Sequence, residues 1–316
     1  MKYRIIPGTD LKVSELCLGG NIFGHFCNFE ETKKIIDFAY NQGINFIDTA
    51  NVYSDGLSEE YIGKSIKGRR EKFIIATKAG VRPNQKPKNV FTKEYIIKSV
   101  NESLNRLQTD YIDLYQVHHF DLEIPIKETL KALNELIRTG KVRYIGCSNY
   151  NLKQIVEALN EKEKKNFSSI QLPYNLLNQE IEKEVIPFCN QLNIGILPYQ
   201  VLDRGLLTGK YNKIINIPTS FRGSKSEKIR LELTPKKLKI LKYLEEYTKR
   251  KTISLTELSL AWVLRKKEVC SVIIGVRNID QLKECINSIK LNLSIKDLKE
   301  IENIIMGLPL VVFSKD

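Results

Sequence analysis

Eight short, mostly apolar β-type segments alternate with longer stretches of helical periodicity along almost the whole chain. This alternation restricts the fold more than any other feature of the sequence. The β-type segments are residues 15–18, 45–49, 73–77, 111–117, 144–147, 169–172, 195–198 and 271–274. Between them, residues 30–41, 93–107, 126–138, 152–159, 178–192 and 255–264 carry apolar side chains at three- and four-residue intervals. Repeated strand–helix units predict a parallel sheet, because parallel neighbours need a crossover between them. Gly43, Gly68 and Gly140 each follow a helical stretch and precede a strand, where a left-handed cap is required. No GxGxxG follows the first of these strands, so a closed (β/α)8 TIM barrel is favoured over a doubly wound sheet. Residues 3–13, turning at Pro7-Gly8-Thr9-Asp10, read as an N-terminal β-hairpin. The interval 200–270 must hold more than one helix, which places extra helices near the C-terminus, and its part 211–228 is polar and loop-like. One barrel domain is expected over residues 1–316.

With 42% hydrophobic and 28% charged residues the chain is a folded protein, not a disordered one. No apolar run reaches the roughly 18 residues that cross a bilayer, and the start MKYRIIPGTDLK lacks the features of a signal peptide. A cytoplasmic protein without a membrane partner is therefore expected. The six cysteines include no CxxC pair, which indicates neither a metal site nor a disulfide framework. The net charge of +13 raises the question of nucleic acid. Lysines and acids are mixed, however, in 160–166 (NEKEKKN) and 238–251 (LKILKYLEEYTKRK), the pattern of solvated helix faces, so no nucleic-acid partner is expected. A basic field still attracts anionic ligands.

In such a barrel, chemistry belongs where strands end. The second strand ends in Asp48-Thr49-Ala50-Asn51-Val52-Tyr53, the third in Lys78, the fourth in His118-His119, the fifth in Ser148-Asn149, the sixth in Gln171 and the seventh in Tyr199. Taken singly, Asp48 could cap a helix and His118 could be a satisfied core histidine. Together, a tyrosine, a lysine and an aspartate around one mouth make a proton donor. A phenol needs a nearby cation to transfer protons near neutrality, and the aspartate keeps that cation charged.

The stretches 48–53 (DTANVY), 56–63 (GLSEEYIG), 113–118 (DLYQVH), 140–149 (GKVRYIGCSN) and 204–210 (RGLLTGK) together resemble the aldo-keto reductases. The resemblance implies a barrel that binds NADPH, with NADH possible, and reduces an aldehyde or ketone. It places catalytic roles on Asp48, Tyr53, Lys78 and His118, and a substrate pocket on Tyr53, His118 and His119. Alternation along a strand would turn the two histidines opposite ways, so equal roles for them are not expected. By the same resemblance, Gly20 and Asn21 after the first strand bind the cofactor, and Ser148, Asn149, Gln171 and Tyr199 surround the nicotinamide. Leu202, Arg204, Gly205 and Leu206 pass the pyrophosphate, and Gly275, Arg277, Gln281 and Glu284 hold the adenosine and 2′-phosphate. The chain departs from many relatives at Ile274, at Cys285 and at Gln200-Val201-Leu202, and Gln281 is neutral where others carry a cation.

Two other functions fit the same stretches. GLLTGKY also resembles the potassium-channel β subunits, in which such a barrel is a regulatory partner; the full set Asp48, Tyr53, Lys78 and His118 argues for turnover instead. A reductase of nucleotide-linked keto sugars would suit the basic charge. The natural substrate, the oligomeric state and the physiological direction are not written in the sequence.

Overall fold

Strands whose residues are apolar on both faces are those covered by helices on one side and by a packed interior on the other. The structure, a computed structural model describing residues 1–80, 91–161, 165–210 and 234–307, has this arrangement. Strands β1 (Tyr3–Ile5) and β2 (Lys12–Ser14) form an antiparallel hairpin. Eight further strands follow: β3 (Leu16–Gly19), β4 (Phe46–Asp48), β5 (Ile74–Ala79), β6 (Ile112–Val117), β7 (Val142–Ser148), β8 (Ser169–Gln171), β9 (Gly195–Ile196) and β10 (Val272–Ile274). They pair in parallel in the order β10-β3-β4-β5-β6-β7-β8-β9. The ring closes where Ile196 N donates to Glu268 O at 3.0 Å and Ile196 O accepts from Cys270 N at 2.9 Å. Ile273 N to Pro198 O, also 2.9 Å, completes the seam. A closed (β/α)8 barrel leaves no open edge.

The outer layer contains α1 (Phe29–Asn41), α2 (Leu57–Ser65), α3 (Lys93–Leu107), α4 (Ile126–Arg138), α5 (Leu152–Asn160) and α6 (Val185–Gln191). Two helices, α7 (Pro235–Lys251) and α8 (Leu255–Leu264), lie between β9 and β10, and α9 (Ile279–Ser288) and α10 (Ile295–Ile305) follow the last strand. Reciprocal capping boxes at Asn28, Asn151, Ser254 and Ser294 fix four of the helix starts. Gly43, Gly68 and Gly140 adopt φ of 82°, 79° and 75°, the left-handed caps read from the sequence. One expected helix is shorter. Residues 178–192 do not form one piece, because Asn175 and Asn178 build side-chain turns onto Leu177 N, Asn178 N and Glu180 N, a 3-10 turn follows at Glu180–Glu182, and only α6 is helical. The loop expected at 211–228 lies outside the described residues.

The sheet separates two cores. Outward residues such as Leu16, Leu18, Ile47, Ile75, Val117, Ile145 and Ile170 pack against the helices. Inward residues Cys17, Phe46, Ala76, Leu114, Leu197 and Ile273 pack with Ile6, Leu11 and Val13, so the hairpin plugs the end where the strands begin. With that end filled, the opposite mouth is left for chemistry. Among the described residues no helix is long and apolar enough to cross a membrane.

Candidate active site

Alternation along the strands turns Asp48, Lys78, Gln116 and Gln171 into the barrel above the apolar plug, where they are 2%, 0%, 0% and 3% exposed. Charges buried this deeply persist only when paired and hydrogen-bonded. Lys78 Nζ donates to Asp48 Oδ2 at 2.6 Å and to the carbonyl of Thr49 at 2.8 Å. Asp48 Oδ1 accepts from Gln171 Nε2 at 2.8 Å and Gln116 Nε2 at 3.1 Å. Burial alone would depress the Lys78 ammonium, but Asp48 and then Tyr53 more than reverse this and leave it above its usual range. Lys78 is therefore a fixed positive charge.

Tyr53 begins the 3-10 turn Tyr53–Gly56, whose next three residues, Ser54, Asp55 and Gly56, all have positive φ. Ser54 Oγ anchors that turn on the carbonyl of Phe23 at 2.8 Å. Lys78 Nζ lies 5.2 Å from the centre of the Tyr53 ring. Burial pushes the Tyr53 phenol above its ordinary range, and the Lys78 charge offsets only part of that rise. The phenol thus remains protonated at neutral pH, as a proton donor must.

His118 faces Tyr53, with ring centres 5.8 Å apart and planes at 79°. Its Nδ1 is buried without a partner among the described residues, and a Cβ on Gly80 would sit 2.5 Å from that atom, so glycine is needed there. Burial, then the Lys78 charge, holds the imidazole well below its usual range, and it is neutral. His119 stacks on it at 4.9 Å and 10°. The opposite orientation inferred from strand alternation does not hold, because β6 ends at Val117 and both histidines lie in the loop beyond it. Both rings border the mouth.

The other expected site residues lie at the ends of strands, in or beside the turn Asp203–Thr208, and on α9. Gly20 and Asn21 open the turn after β3, and Asn21 Oδ1 is 3.4 Å from where a Gly275 Cβ would be. Ser148 Oγ donates to Gln171 O at 3.1 Å. Asn149, at φ 61°, donates through Nδ2 to His118 O and to Ser148 Oγ, and its Oδ1 accepts from the Tyr199 hydroxyl at 2.6 Å. The Tyr199 ring is thereby pinned at the mouth. Arg204 and Gly205 have positive φ in the turn Asp203–Thr208, beside half-buried Leu202, whereas Leu206, 3% exposed, turns its side chain into the core. Arg277 lies over the Phe26 ring at 4.2 Å, and its backbone N donates to Gln281 Oε1. The side chain that caps α9 is Asn278, not Arg277. Glu284 and buried Cys285 follow on α9.

Comparison with known proteins decides what this arrangement belongs to. The model of the aldo/keto reductase family matches residues 15–306. The chain belongs to that family. It is 35% identical to the uncharacterized oxidoreductase YrpG of Bacillus subtilis, over 97% of each chain. It is 33% identical to a putative aryl-alcohol dehydrogenase of Schizosaccharomyces pombe, covering 95% of this chain and 94% of that protein. The solved structure of the aldo-keto reductase AKR11C1 from Bacillus halodurans in its holo form is 31% identical and superposes with a TM-score of 0.77 over 100% of this chain and 99% of that one. The protein is an NAD(P)H-dependent oxidoreductase of this family.

Two groups in this aldo/keto reductase escaped the sequence reading. Gln116 lies within DLYQVH, where a polar residue on the inward face of an otherwise apolar stretch is the signal for it. Glu59, fully buried on α2, accepts from Thr77 Oγ1 at 2.6 Å and from Arg106 Nε at 2.7 Å, and so braces the helix behind Tyr53 against the strand carrying Lys78.

Proposed function

We propose that the protein reduces an aldehyde or ketone to the alcohol with NADPH, and that Tyr53 is the proton donor. The observation that carries this reading is the Asp48–Lys78 pair at 2.6 Å beneath the Tyr53 ring, with neutral His118 across the mouth. The donor set suits a nicotinamide dinucleotide. Deep in the barrel lies the amide of Gln171, and at the mouth lie the amide of Asn149 and the ring of Tyr199. At the rim, the backbone of 202–206 borders the path for a pyrophosphate, and Arg277, its guanidinium over the Phe26 ring, directly precedes the N-cap of α9, a place suited to a 2′-phosphate. When bound, NADPH supplies the hydride.

The chain's own residues do the rest. Neutral His118 hydrogen-bonds the carbonyl oxygen and orients it. Tyr53 gives its phenolic proton to that oxygen as negative charge develops there, and Lys78, held by Asp48, stabilises the phenolate left behind. His119, stacked on His118, gives the mouth a flat aromatic wall. An aryl substrate, as in the name of the yeast relative, suits that wall. Consumption of NADPH and NADH against aryl and alkyl aldehydes, sugars, diketones and keto sugars tests the proposal. Turnover with NADPH and at least one aldehyde is expected; absence of turnover with every carbonyl and both cofactors would overturn it.

A further inference from the structure

Asp48 carries only acceptors when ionised, so any amide touching it must turn its NH2 group inward. Gln116 does so at 3.1 Å and Gln171 at 2.8 Å, and Gln171 Nε2 also donates to Gln116 Oε1 at 3.3 Å. Both protons of the Gln171 amide are therefore taken. Its Oε1 accepts no hydrogen bond from any described residue, yet it is not among the buried unpartnered atoms. That oxygen is the open end of the network. Gln116 is uncharged and contacts both Asp48, through Nε2, and Gln171, through Oε1.

We propose that Gln116 is a positioning residue that locks the Gln171 amide with its oxygen towards the cleft, so that this oxygen accepts from the carboxamide NH2 of the nicotinamide ring. The inference rests on the cofactor placement proposed above. Without Gln116, Gln171 keeps one anchor of two, its amide can swing, and Asp48 loses one of three donors. The same contact links the nicotinamide subsite to the Asp48–Lys78 pair.

The test compares two ligands. Gln116→Met keeps length and approximate volume and removes the amide. Dissociation constants for NADPH and for adenosine 2′,5′-bisphosphate, the half of the cofactor that lacks nicotinamide, are measured by calorimetry on wild type and variant. NADPH affinity should fall about three- to tenfold, the range of a neutral hydrogen bond, while the bisphosphate binds unchanged. A role confined to core stability predicts no such split: equal losses for both ligands, or unchanged NADPH affinity, would overturn the inference. Should this variant fail to fold, Gln116→Asn takes its place with the same expected pattern, since it is one methylene too short to reach both partners. Wild type that binds neither NADPH nor NADH would instead refute the proposed function itself.

Discussion

At the end of the barrel where the strands begin, buried Asp113 lies between Arg70 at 2.7 Å and Arg143 at 2.5 Å, and Arg143 reaches on to Asp10 of the hairpin. Arg4 there donates to Glu15 and to the carbonyls of Leu264, Lys266 and Val269. At the opposite end His118 Nδ1 is buried without a partner among the described residues, and Ser54, Asp55, Asn149, Gln200, Asp203 and Arg204 hold positive φ. Each such residue costs about 1–3 kcal/mol. Among the described residues the other non-glycine residues with positive φ, Gln108, Asn193 and Thr252, instead end helices, where a left-handed residue is an ordinary stop. One end is built from satisfied charges and carries stability, whereas the other keeps strain and spare hydrogen-bonding capacity for a ligand.

That contrast is broken most directly by changing one residue at each end. Tyr53→Phe keeps the ring and removes the proton, so kcat should fall by about 10²–10⁴ with cofactor affinity and melting temperature nearly unchanged. A variant retaining most of its activity would remove Tyr53 from the mechanism. Asp113→Ala should do the reverse. It leaves Arg70 and Arg143 without their shared carboxylate, and loss of one partner from a buried pair costs about 3 kcal/mol, measurable by denaturant unfolding, with kcat unaltered in the folded fraction. If kcat fell as far as stability, the two ends would not be separable.

How far the sequence foretold each end follows from the range of the interactions. Helices α3, α4 and α8 were legible to the residue, because their apolar spacing and caps are local. The glycine caps at 43, 68 and 140 were legible for the same reason. The 178–192 segment was misread because periodicity does not reveal that the asparagines at 175 and 178 take the backbone amides into turns. At the mouth, residue types at strand ends located Asp48, Tyr53, Lys78 and His118, but not who touches whom. Gln116 meets partners 68 and 55 residues away, on β4 and β8, and that meeting exists only once the barrel closes. The stacking of His119 on His118 depended on where β6 stops, and strand ends are the least certain part of any periodic pattern.

At the rim of the open end, Arg277 sharpens the comparison by asking whether an exposed cation there is meant for a ligand. Hydrogen bonds to charged groups contribute roughly 1.5–3 kcal/mol, so Arg277→Ala should weaken NADPH binding about ten- to a hundredfold and barely affect NADH. Because Asn278 caps α9, helix stability should not change. Fluorescence titration of both cofactors decides; equal losses, or a wild-type preference for NADH, would mean that the 2′-phosphate lies elsewhere.

The smallest effect expected is in the pH dependence, and it follows from the signs of three shifts. Reduction requires Tyr53 protonated, Lys78 charged and His118 neutral. Burial raises the Tyr53 phenol despite Lys78, so the protonated form persists beyond the ordinary tyrosine value of about 10. Asp48 and Tyr53 outweigh burial at Lys78, so its charge is not lost first. Burial and Lys78 lower His118, so it is already neutral at the ordinary histidine value of about 6.5 and stays so above it. At saturating cofactor, kcat for reduction should therefore vary less than about twofold between these two ordinary values. An ascending limb near 6.5 would give His118 the protonated, acid role and displace Tyr53. A descending limb near neutrality would mean that Lys78 outweighs burial at the phenol after all, and that the open end of the barrel is more polar than its packing implies.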